Sequence, residues 1–403
     1  MHTSKFIVRE PLLDPSQRVI GYELSWQQGV NAAAPRPELE ALVGFVAAQF
    51  NDDERGWLLR DKVLFLDAVP GMLSTDALHD MPPQFTVLTI DTDALRNPDT
   101  LAAVQGLRAG GVGIALRNAD LRHTSKEVLG SASYVEVRFT GADVAAQART
   151  YAALKQTAAR LVGRPVTTWG DFDACAALGL NAFVGKLHLT PRPGIPVKGM
   201  NPAQTVILQL MQMVRKNADI AQLEGVLKRD AALSYKLLRF INSASFGLGR
   251  EIHSLRQALA LLGYSPLYRW LTLLLATAST SGYSPVLMET AVVRGRLAEL
   301  LGTKALGKSE AENLFVAGMF SLLDRLLGIP MAQVFETIVL SDEIMDALLN
   351  RAGVFGPYLA LAEACELNTD LVSSLAASLG LSALDVNRAH LSALAWAQDI
   401  GLG

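Results

Sequence analysis

Only two of the 403 residues are cysteine, Cys175 and Cys365, and both fall in apolar stretches with helical spacing. That excludes a disulfide framework or a CxxC site and leaves two small buried side chains as the natural reading. Histidine is scarce as well. Beyond Lys198 there are only His253 and His390, with no ligand-like spacing to acids. The single His-Asp pair, His79-Asp80, precedes "MPP" and reads as a solvated loop. An excess of positive charge is also missing, with 36 Lys and Arg against 39 Asp and Glu, net −3. The part before Lys198 has 19 basic and 21 acidic residues, and the remainder has 17 and 18. Neither part has the cationic surplus that a phosphate backbone requires, so nucleic acid is not an expected partner. Long apolar runs are absent too. The most apolar segment, "LYRWLTLLLATAST", contains Arg269 and is too short to span a bilayer. The opening "MHTSKFIVREPLL" has no apolar signal core. A cytoplasmic protein with no membrane segment is the expectation. No Walker loop, nucleophile elbow or GxGxxG is present.

Half of the residues are hydrophobic and 19% are charged, as in well-packed domains, and the length favours two of them. The first 190 residues alternate β-branched runs with Ala/Leu-rich helical stretches. The strand candidates are "KFIVREPL", "RVIGYELSW", "KVLFLDAV", "FTVLTID", "GVGIALRN", "YVEVRF", "RPVTTW" and "AFVGKLHL". This alternation predicts a mainly parallel sheet closed as a (β/α) barrel of the TIM type. Pro11 and the turn "DPSQ" predict that the first two strands form a hairpin. A Pro/Gly-rich linker over 191–201 then separates residues 1–190 from an all-helical domain over 202–403. In that second part apolar residues recur at helical spacing, as at Leu233, Leu237, Leu238 and Ile241. "GYSP" occurs at 263–266 and 282–285, predicting two helices with Ser as cap and Pro in the first helical position.

In such a barrel, chemistry gathers where the strands end. Those ends hold Glu23, Asp67, Thr89 with Asp91, Arg117 with Asn118, Arg138, Thr167, and Lys186 with His188. A two-metal hydrolytic site needs a ring of oxygen ligands. Here there are at most three acids, and Arg117, Arg138 and Lys186 bring positive charge into the same space.

The motifs "YELSW", "LFLDAVP", "VLTIDTD", "GVGIALRNADL", "YVEVRF" and "VTTWGDFDACAALGLNAFVGKLHLTPR" resemble, in order and spacing, the EAL family. These are barrel phosphodiesterases that hydrolyse cyclic di-GMP, and the resemblance covers residues 5–193. It implies that Glu23 stands at a retained metal-ligand position. Asp67 and Thr89 stand where the family has Asn and Glu ligands, and Arg117 and Asn118 replace its paired aspartates. Glu136 and Arg138 replace its catalytic Lys and a nearby Asp. Arg164 and Thr167 stand for glutamates, Val184 for a glutamine, and Gln27 for the arginine that meets the substrate phosphate. The implication is a catalytically inactive barrel with no metal and no cofactor. Binding of cyclic di-GMP without hydrolysis, through Arg117, Arg138 and Lys186, is the alternative.

The second part resembles the HDOD domain, a relative of the HD-type metal phosphohydrolases. The carrying motifs are "DAALSYKLLRFINSASFGLGREIHSLRQALALLG" and "FVAGMFSLLDRLLGIPMAQVFETIVLSDEIMDALL", followed by the tail from "GPYLALAEACE" to the end. Ser321 and Leu322 lie where the His-Asp pair of an active HD enzyme belongs. "INSASFG" reads either as a stapled helix end or as a partner-facing corner formed by Asn242, Ser243 and Phe246. Lys228, Arg229, Lys236 and Arg239 nearby read as a solvated helix face. Together the resemblances imply an EAL-HDOD signalling protein that acts through protein partners and has the option of a homodimer.

Overall fold

The computed structural model describes residues 5–27, 36–119, 123–138, 144–190, 192, 201–242, 251–277, 285–337, 340–367 and 369–400. Its strands are β1 (Ile7–Leu13), β2 (Val19–Trp26), β3 (Asn51–Asp52), β4 (Gly56–Trp57), β5 (Val63–Asp67), β6 (Thr86–Asp91), β7 (Gly113–Arg117), β8 (Tyr134–Val137), β9 (Arg160–Gly163) and β10 (Ala182–Val184). Strands β3 and β4 form a small ribbon; the rest close a barrel in the order β1-β10-β9-β8-β7-β6-β5-β2. As the Pro11 turn predicts, β1 and β2 are an antiparallel hairpin, and β1 also runs antiparallel to β10. All other neighbours are parallel.

One strand differs from its sequence assignment. "RPVTTW" is not the ninth strand: pairing occurs at Arg160–Gly163, and Arg164-Pro165 follows it with a cis bond. Pro165 has no N–H to donate to a ladder, so the strand stops before it.

Five helices accompany the barrel: α1 (Arg36–Phe50), α2 (Pro98–Ala109), α3 (Lys126–Gly130), α4 (Val144–Leu154) and α5 (Trp169–Ala177). Their starts follow from local chemistry. Asn97 accepts from the Asp99 and Thr100 amides with Pro98 behind it, and Ser125 and Thr168 cap α3 and α5.

Thirteen further helices follow among the described residues. They are α6 (Pro202–Arg215), α7 (Ile220–Leu227), α8 (Ala231–Ile241), α9 (Leu255–Leu262), α10 (Tyr264–Thr277), α11 (Pro285–Leu306), α12 (Lys308–Phe320), α13 (Leu323–Leu327), α14 (Met331–Thr337), α15 (Asp342–Asn350), α16 (Gly356–Leu367), α17 (Leu371–Ser378) and α18 (Ala383–Asp399). Helix α6 opens with a full capping box between Asn201 and Gln204, and α18 with one between Ser382 and Asp385. At the second "GYSP", Pro285 does begin α11, while Ser284 lies outside the described residues. At the first, α10 begins two residues early at Tyr264. There the Ser265 hydroxyl bonds Glu312 instead of capping. No single helix among the described residues is long and apolar enough to cross a membrane.

The chain divides into two compact units, and the division does not follow the Pro/Gly-rich stretch alone. The first comprises Met1–Gly194, Ser284–Val293 and Ala360–Gly403; the second comprises Ile195–Tyr283 and Arg294–Leu359. The tail of the helical half thus belongs with the barrel. The linker assigned to 191–201 lies outside the described residues apart from Arg192 and Asn201.

In the second unit, α11 and α12 approach at glycine. A Cβ on Gly295 would lie 2.8 Å from the Phe315 carbonyl oxygen, too close for any larger residue without a shift. Arg269, the charge inside the most apolar segment, pairs with Glu299 at 2.5 Å and lies 4.0 Å from the Phe315 ring centre.

Candidate functional site

The barrel interior is built by strand alternation. Leu12, Phe65, Val87, Ala115, Tyr134, Val162, Ala182 and Val184 form one buried apolar layer. Because side chains alternate with period two, the residue two positions beyond each faces the same interior, one layer closer to the mouth. From Phe65 that step reaches Asp67, from Val87 Thr89, from Ala115 Arg117, from Tyr134 Glu136, from Val162 Arg164 and from Val184 Lys186. On antiparallel β1 the step runs backwards, from Leu12 to Glu10, which pairs across the hairpin with Glu23. An oily floor therefore carries a charged upper layer.

In that layer two guanidinium groups are threaded between four carboxylates. Arg117 donates to Glu136 at 3.0 Å, lies 2.8 Å from Asp67 and 3.9 Å from Glu23. Arg164 pairs with Glu23 and lies 3.7 Å from both Glu10 and Glu136. Glu23 and Glu136 are each only 8% exposed at the side chain, so both depend on these partners. Burial pushes the Glu136 carboxyl up, with Arg117 opposing the shift. Burial alone would weaken the charge of Arg117, but Asp67 and Glu136 outweigh it and hold the guanidinium above its ordinary value. For Arg164, burial lowers the value against the pull of Glu10.

These residues do not suit a divalent metal. Such an ion needs several carboxylate oxygens converging on an open point, whereas here they converge on guanidinium N–H groups. Among the described residues, no group of three or more His, Cys, Asp or Glu is arranged to hold a metal.

The other strand-end residues fall into distinct places. Thr89 is 2% exposed and its hydroxyl has no hydrogen-bond partner among the described residues. Asn118 adopts a left-handed backbone with φ 59° and donates to Asp91 at 2.7 Å, away from the charged layer. Arg138 and Thr167 are exposed at the rim. Val184 belongs to the apolar floor and has no access to the mouth. Lys186 and Gln27 do not face open solvent: their side chains donate to the carbonyls of Leu367 and Thr369, at 2.7 and 2.8 Å. Burial lowers the Lys186 ammonium, with Glu10 and then Glu366 opposing.

Sequence reasoning missed four contributors in this unit. Glu10 was legible in principle, since it shares parity with inward Leu12. The Leu367 and Thr369 carbonyls, and Asn387, which bonds the Lys5 carbonyl and the Ile7 amide of β1, carry no local signal, because their role depends on how residues far along the chain return to the barrel.

In the second unit, Ser321 accepts from Arg294 at 2.8 Å and donates to the Gly318 carbonyl at 2.6 Å, while Leu322 is buried. The residues at the His-Asp position are thus a hydroxyl bonded to a guanidinium and a core leucine. His253 is exposed beside Glu251. Asn242 uses its whole amide locally, donating to the Ile252 carbonyl and accepting from the Ile252 amide, both at 2.8 Å. Ser243 and Phe246 lie outside the described residues. His79 and Asp80 are exposed, as expected of a loop.

Residues 200–339 match the HDOD domain family model. Over nearly its whole length the chain is similar to the cyclic di-GMP phosphodiesterase CdgJ of Vibrio cholerae. Identity there is 26% over 419 aligned positions, covering 99% of this chain and 94% of that protein. It is also similar to the uncharacterized protein YuxH of Bacillus subtilis, at 23% identity, covering 98% of each. Among solved structures, the PaMucR phosphodiesterase in complex with c-di-GMP covers 47% of this chain and 93% of its own, with 19% identity and TM-score 0.38. The EAL domain of Mycobacterium smegmatis DcpA covers 45% and 90%, with 15% identity and TM-score 0.37.

Proposed function

We propose that this chain is of the EAL-HDOD type and is a non-hydrolysing signalling protein that works through protein partners in cyclic di-GMP-related signalling. The observation that carries this reading is the pairing of Glu23 with Arg164 and Arg117. Hydrolysis of a phosphodiester by this fold class relies on metal ions to polarise phosphate and generate the nucleophile. In this chain the cation in contact with the carboxylates is a fixed guanidinium. It neutralises charge but cannot bind and activate a water as a Lewis acid. Loss of one oxygen ligand can be covered by water, whereas an arginine inside the ligand ring excludes the ion by both charge and volume.

The parallel chemistry at Ser321 and Arg294 supports the same reading for the helical unit. The name of the Vibrio cholerae relative points to the opposite reading, active hydrolysis, so turnover is the property to test. Purified protein incubated with Mg²⁺ or Mn²⁺ and cyclic di-GMP should leave the nucleotide intact. Metal-dependent turnover abolished by Glu23→Ala would overturn the proposal.

A second reading, a cyclic di-GMP receptor, rests on exposed Arg138 at the rim of the mouth. Calorimetry at tens of micromolar protein separates the two: saturable heat that Arg138→Ala removes favours the receptor, and its absence favours the scaffold. A cytoplasmic location and a homodimer accompany the proposal.

A further inference from the structure

The mouth of the barrel is partly occupied by the chain itself. Strand β10 ends at Val184, opposite Leu12, so among the described residues the first half of β1 has no strand on that side. The Phe6 carbonyl accepts from the Gln27 amide on the β2 side, so the Lys5 carbonyl and Ile7 amide point toward the gap. Asn387 of α18, 1% exposed, fills it: its Nδ2 donates to the Lys5 carbonyl and its Oδ1 accepts from the Ile7 amide. With α18 seated there, the end of α16 lies over the same rim. Its Leu367 carbonyl accepts from the Lys186 ammonium, and the Thr369 carbonyl just beyond accepts from the Gln27 amide. Glu366, next to Leu367, adds its charge to the field at Lys186.

The last carbonyls of a helix carry a partial negative charge, and cations are drawn to them. To Lys186 and Gln27, the end of α16 therefore presents what a phosphate oxygen would present. We propose that the end of α16 is a built-in anion mimic seated in the barrel mouth, which an anionic ligand of nucleotide class must displace. Leu367 and Leu371 are 47% and 60% exposed, so apolar anchoring here falls to Cys365 and Val372 on either side. Polar bonds to two side chains hold the segment locally, and both donors suit an incoming anion equally well. Binding at the mouth and release of the end of α16 are then one event, so the mouth reports its state to the rest of the chain through this helix end. The inference is independent of whether the barrel hydrolyses anything.

The test uses the full chain in two arms. In the first, Lys186→Met combined with Gln27→Leu removes both donors, and amide exchange over 369–375 is expected to rise about tenfold. Unchanged exchange in that segment overturns the proposal. In the second, Asn387→Ala loosens the seat of α18 but keeps Lys186 and Gln27, and cyclic di-GMP serves as the anionic probe in calorimetry. Association is expected to strengthen at least tenfold over the unsubstituted protein, and adding Lys186→Met to Asn387→Ala should remove the gain. Equal binding by the two proteins, or binding by neither, overturns it. If Asn387→Ala does not fold, the exchange arm decides alone. Turnover of the probe is measured separately, so failure of the non-hydrolysing assignment and failure of the anion mimic give different results.

Discussion

His390 provides a quantitative test of how the chain's end is seated on the barrel. It lies in α18, 1% exposed, and its Nδ1 has no hydrogen-bond partner among the described residues. Burial, and behind it the charge of Arg9, pushes its value down from 6.5 to about 3. An unfolded chain would bind a proton at this residue on passing below pH 6.5, while the folded protein would not. Stability must therefore fall as pH falls through that window, and the loss saturates only near pH 3. Linkage gives a cost of about 2 kcal/mol between pH 8 and pH 5, growing to about 4 kcal/mol at pH 3. The value at pH 5 barely depends on the folded-state constant, because the folded imidazole is neutral there whether that constant is 3 or 4.

The measurement is urea unfolding of the unsubstituted protein and of His390→Gln at pH 8, 6 and 5, followed by tryptophan fluorescence. Of the five tryptophans only Trp270 lies outside the barrel unit, so the signal follows the relevant transition. Carboxylates contribute equally to both proteins and cancel in the difference. The variant, already less stable at pH 8, should lose about 2 kcal/mol less than its parent on going to pH 5. Parallel losses would refute the claim that His390 is a buried neutral imidazole and, with it, this seating of α18.

Three further outcomes follow from the same geometry. Arg117→Ala strips the nearest cation from Glu136 and Asp67. It should destabilise the barrel by about 2 kcal/mol or more at neutral pH. Because an unpaired Glu136 takes up a proton more readily, the deficit should shrink toward pH 5 in denaturant titrations. Tyr22, whose hydroxyl is buried against Glu289 and pushed well above its usual range first by burial and then by that carboxylate, should stay protonated where the exposed tyrosines titrate in ultraviolet difference spectra. Tyr22→Phe leaves Glu289 with Gln398 as its remaining partner and should cost about 1 kcal/mol in urea unfolding. The Cys175 and Cys365 thiols, pushed up by burial to about 11 and about 12, should resist an aromatic disulfide reagent at pH 8 until denaturant is added. Rapid labelling of either thiol in the folded protein would contradict the core placement.

The sequence showed a good deal of this, and the limits have physical causes. Alternation along "VLFLD", "TVLTID" and "GIALR" both announces strands and fixes which residues share the interior. The charged layer at Asp67, Thr89 and Arg117 could therefore be read without coordinates. The ninth strand was misplaced because "RPVTTW" has β-branched residues but also Pro165, and loss of a ladder donor outweighs side-chain preference. Ser265 failed as a cap because Glu312 offered its hydroxyl a stronger, charged acceptor. Domain limits drawn from composition placed residues beyond 360 with the helices that precede them. Their membership in the barrel unit is decided by contacts such as Asn387 with Lys5, which lie 382 positions apart. No local pattern encodes a contact of that span.

That last contact has a consequence for how the protein is made. The barrel closes through β10 against Leu12 and Leu13, but the start of β1 is covered only by Asn387, which lies 382 positions after Lys5. Until Asn387 is synthesised, the Lys5 carbonyl and the Ile7 amide stay open as half a strand edge, a place where another extended segment can pair. That stretch of β1 stays uncovered through the synthesis of the residues between it and Asn387. In β1, Arg9, Glu10 and Pro11 interrupt the apolar character. Charge and proline on an edge are features that discourage wrong pairing during such a delay.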